Sequence, residues 1–387
     1  MVSTGVGELC ARRVVVRKQG VSAWVMGAVL LATAAAIGLE SWGQSVPVDA
    51  KIASPGATDK AIDQAAPRPG QMRGFCIQLS NPNGTDAYIK AIDDLADMGC
   101  TWINFSIAAR QETVKSNYVK IVWQNIPSQK DIERILLHAR QRHVRTMLMP
   151  IVLLNTSGAK EWRGVIAPDS WDDWFASYTA YMVKMAQIAK KCDVDLFCVG
   201  SELLSTESFR ARWVACIAAI KGEYDGKLIY SSNWDHYESP TFWDQVDYIG
   251  MNNYNELAQS PGASVNQLNE AWGPIKKKYL DFVDKQNKPF LFTEVGWHNL
   301  QNTLAEPWNY VAEGEVNVNE QLHAFQSFVA TWQNVPSSKF MGAFIWEWQP
   351  GANQKRKSDG TIEFDHGSYS LQNTPSLPVV EQWMRGK

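Results

Sequence analysis

Several kinds of residue and segment are scarce in this 387-residue chain, and each scarcity excludes a class of function. It has only 6 His and 6 Cys, and none of them cluster at metal-ligand spacing. No structural or catalytic metal is therefore expected, and no cofactor. No glycine-rich phosphate loop follows the first strand-like run, which counts against nucleotide binding. Beyond the N-terminus there is no stretch dense in Lys or Arg, and the net charge is −3, so the chain carries no nucleic-acid footprint. The cysteines are too few and too scattered for a disulfide scaffold. Cys10 lies near the N-terminus, and Cys100, Cys192 and Cys216 are dispersed. Cys76 and Cys198 fall within strand-like runs and are expected to be buried free thiols. A single bridge involving Cys192 stays open.

There is one long apolar run, from Val21 to Leu39, preceded by Arg12, Arg13, Arg17 and Lys18. That layout is a secretory signal, with Ser41-Trp42-Gly43 as a small-x-small cleavage site. The run is also close to the ~20 residues that span a bilayer, so an uncleaved anchor is the alternative. Residues 1–43 are thus assigned to a signal peptide or signal-anchor and residues 44–70, polar and rich in Ala, Pro and Asp, to a flexible linker. Either route delivers the remainder outside the cytoplasm, secreted or associated with the envelope, with residues 21–39 as a membrane tether if uncleaved. A monomer is expected.

From residue 71 onward, strand-like and helix-like segments alternate. The strand candidates are Arg73–Leu79, Thr101–Ile107, Val144–Pro150, Asp195–Ser201, Lys227–Asn233, Val246–Asn252, Pro289–Glu294 and Phe340–Trp346. They are short and near-continuously apolar, as buried parallel strands are. Ser170-Trp-Asp-Asp173 and Ser128-Gln-Lys-Asp131 are helix start signals. They open segments with Trp174, Tyr178, Tyr181, Met185 and Ile188 on one face, and Ile132, Ile135, Leu136 and Ala139 on the other. The helix after Thr85 stops at Gly99. Eight strands interleaved with helices predict a single (β/α)8 barrel, an α/β fold, over residues 71–387.

Two of those strand runs end in glutamate: Glu202 closes the fourth and Glu294 the seventh. A carboxylate at the C-terminal tip of a buried strand leaves the core at the barrel mouth, where active sites sit. A lone glutamate there is most simply a rim salt bridge. Two of them make the minimum kit for cleaving a glycosidic bond, one protonating the leaving oxygen and the other attacking or activating water. The chain has 17 Trp, 12 Tyr and 14 Phe, and Trp234, Tyr254, Trp297, Trp346 and Trp348 lie beside the strand ends. Flat rings with a polar edge suit the C–H faces of pyranoses, although core packing is their commoner use. Candidates of second rank are Asn233, Asp235 and His236 after strand five, Asn252 and Asn253 ending strand six, and Glu347. Trp162 and Arg163 follow strand three and could build a minus-side sugar subsite, although for Arg163 a surface salt bridge is the simpler reading.

Six segments carry a family likeness: Glu161–Gly164, Trp174–Tyr178, Val199–Leu203, Tyr248–Tyr254, Phe292–Trp297 and Gly342–Trp348. In this order the chain resembles glycoside hydrolase family 113, whose characterised members are endo-β-1,4-mannanases in the clan of retaining (β/α)8 glycosidases. The resemblance implies Glu202 as general acid/base and Glu294 as nucleophile. It implies that Tyr254 hydrogen-bonds the nucleophile and that Trp346 floors the sugar site. Asn253, Trp297, Trp234 and Trp348 are the further substrate-binding candidates. Ser201 departs from the wider clan, which has Asn before the acid to hold the sugar 2-OH. The partner implied is a polysaccharide or oligosaccharide. The alternatives are a barrel glycosidase for another β-glycan, such as galactan or glucan, and a non-catalytic carbohydrate-binding barrel.

Overall fold

The structure is a computed structural model that describes residues 70–158, 160–351, 355–356 and 362–386. The signal or anchor segment, its apolar stretch 21–39 and the linker lie outside the described residues, apart from Gly70. Eight strands close into a parallel barrel in sequence order. They are β1 Met72–Gln78, β2 Trp102–Gln111, β3 Arg145–Leu154, β4 Leu196–Ser201, β5 Lys227–Asn233, β6 Tyr248–Asn253, β7 Phe290–Val295 and β8 Phe340–Ile345. The helices are α1 Thr85–Met98, α2 Gln129–Gln141, α3 Trp171–Lys191, α4 Arg210–Glu223, α5 Val265–Gln286, α6 Val318–Trp332 and α7 Ser376–Met384. A short hairpin of β9 Lys355–Arg356 and β10 Ile362–Glu363 follows the barrel. The expected (β/α)8 architecture is present.

Two details differ from the sequence pattern. Between β5 and β6 a single 3-10 turn, Trp243–Gln245, stands where a helix would complete the repeat. β2 and β3 run on to Gln111 and Leu154, four residues past their expected ends, because they pair in unbroken register from Trp102↔Arg145 to Gln111↔Leu154.

The helix signals act locally as anticipated. Ser170 Oγ accepts from Asp173 N–H and Ser128 Oγ from Asp131 N–H, each satisfying a donor that the first helical turn leaves unpaired. α1 closes at Gly99 in the left-handed region (φ 96°), where Gly99 N–H and Cys100 N–H bond back to Ala96 and Leu95. Alternation along the strands then builds two cores. Cys76, Met147, Met149, Leu196, Cys198, Ile229, Leu291 and Phe344 fill the barrel, and the larger cluster lies between barrel and helices. The five described cysteines are all free and buried, Cys192 included. Among the described residues no His/Cys/Asp/Glu group could hold a metal ion, and no helix is long and apolar enough to cross a membrane.

Candidate active site

Strict alternation would turn Glu294 away from the barrel mouth. Leu291 packs inside the barrel, Phe292 packs against the helices, and Thr293 Oγ1 meets Asn252 and Ser231 in the interior. The next residue should point outward. Instead the register slips: Met251 pairs with Phe292 but Asn252 pairs with Glu294, so β7 holds one residue more than β6 there. A bulge of this kind re-aims a side chain, and here it sets Glu294 on the same side as Thr293. β4 has a matching irregularity, since Cys198↔Ile229 is followed by Ser201↔Ser231.

Glu202 follows β4 in the left-handed region, with φ 55°. A non-glycine residue there is uncommon and costs on the order of 1 kcal/mol or more, so the surroundings must hold it. Glu202 N–H donates to Ser231 O of β5 at 2.9 Å, and Leu203 N–H donates to Tyr230 Oη at 3.2 Å. The turn leaves the Glu202 carboxylate between two donors. Asn252 Nδ2 reaches Oε1 at 2.7 Å, and Arg163 Nη2 reaches Oε2 at 2.5 Å. Asn252 is itself fixed, its Oδ1 accepting from Ser231 and Thr293 hydroxyls at 2.8 and 2.9 Å. Glu207, buried one turn further on, accepts from Tyr230 and Ser239 hydroxyls and ties the loops after β4 and β5 together.

Glu294 has different surroundings. Its side chain is buried, and Oε2 accepts from Tyr254 Oη at 2.8 Å. Burial pushes its carboxyl up to about 8, and the charge of Glu202 adds to the rise; Arg163 and the Tyr254 hydrogen bond pull the other way. Burial, with the charge of Glu294 behind it, also raises the Tyr254 phenol well above its ordinary value, so Tyr254 is a neutral donor. The arginine cation therefore sits on Glu202, while Glu294 is the carboxyl that burial makes hard to ionise.

The other expected residues divide. Trp346 is half-buried just past β8, against the barrel core, and its peptide bond to Glu347 is cis. Glu347 is pushed up by burial, touches Gln349 Nε2 at 3.2 Å, and lines a cavity of about 420 Å³ with Trp348, Gln78, Asn81 and Asp365. Trp348 is mostly buried, edge-on to Phe75. Trp234 and Asp235 line a separate cavity of about 260 Å³ with Lys278 and Tyr279. Neither cavity is lined by Glu202 or Glu294. Trp297 is fully buried against Trp272 and Phe325, so it is a core ring rather than a sugar contact. Asn252 and Asn253 are equally buried, but Asn253 accepts from Asn255 while Asn252 donates to Glu202, so it is Asn252 that faces the mouth. Asp235 and His236 pair with each other at the surface. Asn233, half-buried, keeps a buried Oδ1 without a partner.

Arg163 is not a surface ion pair. It rides on a 3-10 turn, Arg163–Val165, packed beside the turn that follows Glu202, and both charged groups are mostly buried. Gly164 permits this, because a Cβ there would lie 2.1 Å from the Trp162 ring folded over it. Tyr369, which the sequence pattern did not single out, places its ring edge-on to Tyr254 at 6.4 Å.

The sequence profile described as Glycoside Hydrolase Family 113 matches residues 81–368. A search of curated proteins returned no significant match. Among solved structures, a GH113 β-mannanase from Alicyclobacillus acidocaldarius in complex with ManMIm is 26% identical, with a TM-score of 0.70, covering 82% of this chain and 97% of that one. A second GH113 β-1,4-mannanase, solved as a complex, is 21% identical with a TM-score of 0.71, covering 82% and 100%. The endo-β-1,4-mannanase from Thermotoga petrophila is 10% identical with a TM-score of 0.54, covering 82% and 77%. The last two likenesses speak for the fold. With the family profile spanning most of the barrel and both glutamates at its mouth, the chain belongs to Glycoside Hydrolase Family 113 and is a glycosidase.

Proposed function

We propose that this barrel cleaves β-1,4-mannan with retention of configuration, using Glu294 as nucleophile and Glu202 as general acid/base. The observation that carries the assignment is the unequal setting of the two carboxyls. Glu294 is buried and has one neutral donor, Tyr254; Glu202 has an arginine and an amide. In the first step Glu294 attacks the anomeric carbon while Glu202 gives its proton to the leaving oxygen. That forms an α-linked glycosyl ester on Glu294. In the second step Glu202 takes a proton from water, which attacks the same carbon and releases the β-sugar.

The two roles ask for a proton on Glu202 and an ionised Glu294, against the rise that burial gives the Glu294 carboxyl. Sugar binding favours both in this reading. An electron-poor anomeric carbon beside Glu294 favours its ionised form, as does the Tyr254 hydrogen bond. The leaving oxygen entering between Glu202 and Arg163 parts the ion pair and meets the carboxyl that protonates it. Trp346 supplies the apolar face under the sugar next to the cleaved bond. By its N-terminal pattern the chain works outside the cytoplasm, as a monomer, free or tethered through residues 21–39.

The test is the full chain against mannan, galactan, xylan and glucans, with NMR of the first-formed anomer. Mannan cleaved with the β-anomer appearing first is expected. Cleavage of galactan or glucan instead would move the substrate and leave the mechanism intact. The α-anomer first, or no turnover on any of them, would overturn the mechanism.

A further inference from the structure

Between β7 and α6 the chain makes a long excursion, residues 299–317, that is closed at its neck. Asn317 N–H donates to Asn299 O at 2.7 Å and Gln301 N–H to Glu315 O at 3.0 Å, with an antiparallel bridge at Leu300↔Val316. Leu300 and Leu304 are buried beneath it, and Leu304 O accepts from Leu257 N–H at 2.8 Å. His366 holds Gly314 O at 2.7 Å. The excursion is thus an Ω-like loop tied down at several points, the kind of loop that is frequently functional.

Its outer surface carries large apolar side chains between its glutamates. Trp308 is 48% exposed, Tyr310 81%, Val311 73% and Val316 42%. These are four of the seven large hydrophobic side chains left exposed among the described residues. Large apolar side chains exposed together on an anchored loop point to a ligand surface. Its place is fixed by topology, because a segment leaving the C-terminal end of a barrel strand lies on the catalytic face. It also abuts the site: Pro307 O accepts from Tyr369 Oη at 2.6 Å, Tyr369 lies against Tyr254, and Tyr254 holds Glu294.

We infer that the Trp308–Tyr310 loop is a platform for the polysaccharide chain as it leaves the catalytic site, stacking pyranose rings several sugars from the cleaved bond. The inference rests on the reading that this site cleaves a polysaccharide. Indole and phenol rings present flat apolar faces with a polar edge, the shape that pyranose C–H faces and hydroxyls require. Charge points the same way. The loop holds Glu306, Glu313 and Glu315 and no Lys or Arg, so it repels nucleic acid and anionic lipid but not a neutral glycan.

Trp308→Ala and Tyr310→Ala in the full chain test this against two substrates. On long soluble mannan, kcat/KM should fall about threefold to tenfold per ring, as the loss of an aromatic contact predicts. On an aryl β-mannobioside, too short to reach the loop, it should be unchanged. Trp308→Phe should restore most of the polymer activity. Equal effects on both substrates, or none on either, would overturn the platform. So would conversion of a dimer to a monomer by Trp308→Ala with the polymer-to-aryl ratio unaltered, since the patch would then join two copies. If mannan is not a substrate, migration of the parent and the double variant in native gels containing galactan, xylan or glucan separates the two claims. Retardation of the parent alone keeps the platform with a different glycan. No retardation in any gel would overturn it.

Discussion

Glu294→Gln should make the protein more stable, and increasingly so as pH rises. The carboxyl of Glu294 is raised from 4.5 to about 8 in the folded protein, first by burial and then by the charge of Glu202. Below about pH 4.5 the group is neutral in folded and unfolded chains alike and contributes nothing to the pH dependence. Between 4.5 and about 8 the folded state holds a proton that the unfolded state has lost, so stability declines as pH rises. At ~1.4 kcal/mol per pH unit the full cost above that window would reach about 5 kcal/mol. Because the charge of Glu202 supplies part of the rise, roughly 2–4 kcal/mol belongs to the burial of Glu294. Glutamine keeps the shape and an acceptor for Tyr254 and has no charge to bury. Any loss from its unpartnered NH2 is the same at every pH. Melting temperatures of parent and variant from pH 4.5 to 9 should therefore diverge, reaching a gap of several degrees at the alkaline end. A constant gap, or a variant less stable than the parent at pH 9, would refute the reasoning.

Arg163→Met removes a cation that holds the Glu294 carboxyl down, so the acidic limb of the kcat/KM profile should move to higher pH; Arg163→Lys should leave the limb close to the parent's. Tyr254→Phe deletes the hydrogen bond to Glu294 and, with Glu294 as the proposed nucleophile, should lower kcat/KM about 10- to 100-fold, the worth of a hydrogen bond to a charged group, with the melting temperature little changed. Trp346→Ala should cut activity strongly through the lost sugar face, on the order of 1–3 kcal/mol in transition-state binding. A large drop in its melting temperature would instead mark Trp346 as core.

Much of this fold is legible in the sequence because strand and helix periods are local signals. The eight apolar runs, the Ser128 and Ser170 caps and the Gly99 stop each follow from a few neighbouring residues. The direction in which the two carboxyls at the mouth point is not local. Alternation from Leu291 through Thr293 turns Glu294 outward, and only the slipped pairing of Asn252 with Glu294 brings it in. The same alternation explains why Asn252 faces the mouth while the neighbouring Asn253 does not. Trp297 lies beyond the end of β7, where strand parity no longer applies, and its ring falls between α5 and α6. Arg163 lies in the Glu161–Gly164 likeness, but its contact is not legible there because its partner is 39 positions away in a different loop. Tyr369 belongs to an irregular segment with no periodicity to read.

The roles of the two glutamates are tested most directly by azide rescue of their alanine variants on an activated aryl β-mannoside. Such a leaving group scarcely needs protonation, so Glu202→Ala still forms the glycosyl ester on Glu294. Azide then replaces the missing base in the second step and should give the β-mannosyl azide. In Glu294→Ala no ester forms, and azide attacks from the opposite face to give the α-mannosyl azide. Different anomers from the two variants are the predicted result. The same anomer from both, or full activity in either without azide, would contradict the assignment of nucleophile and acid/base.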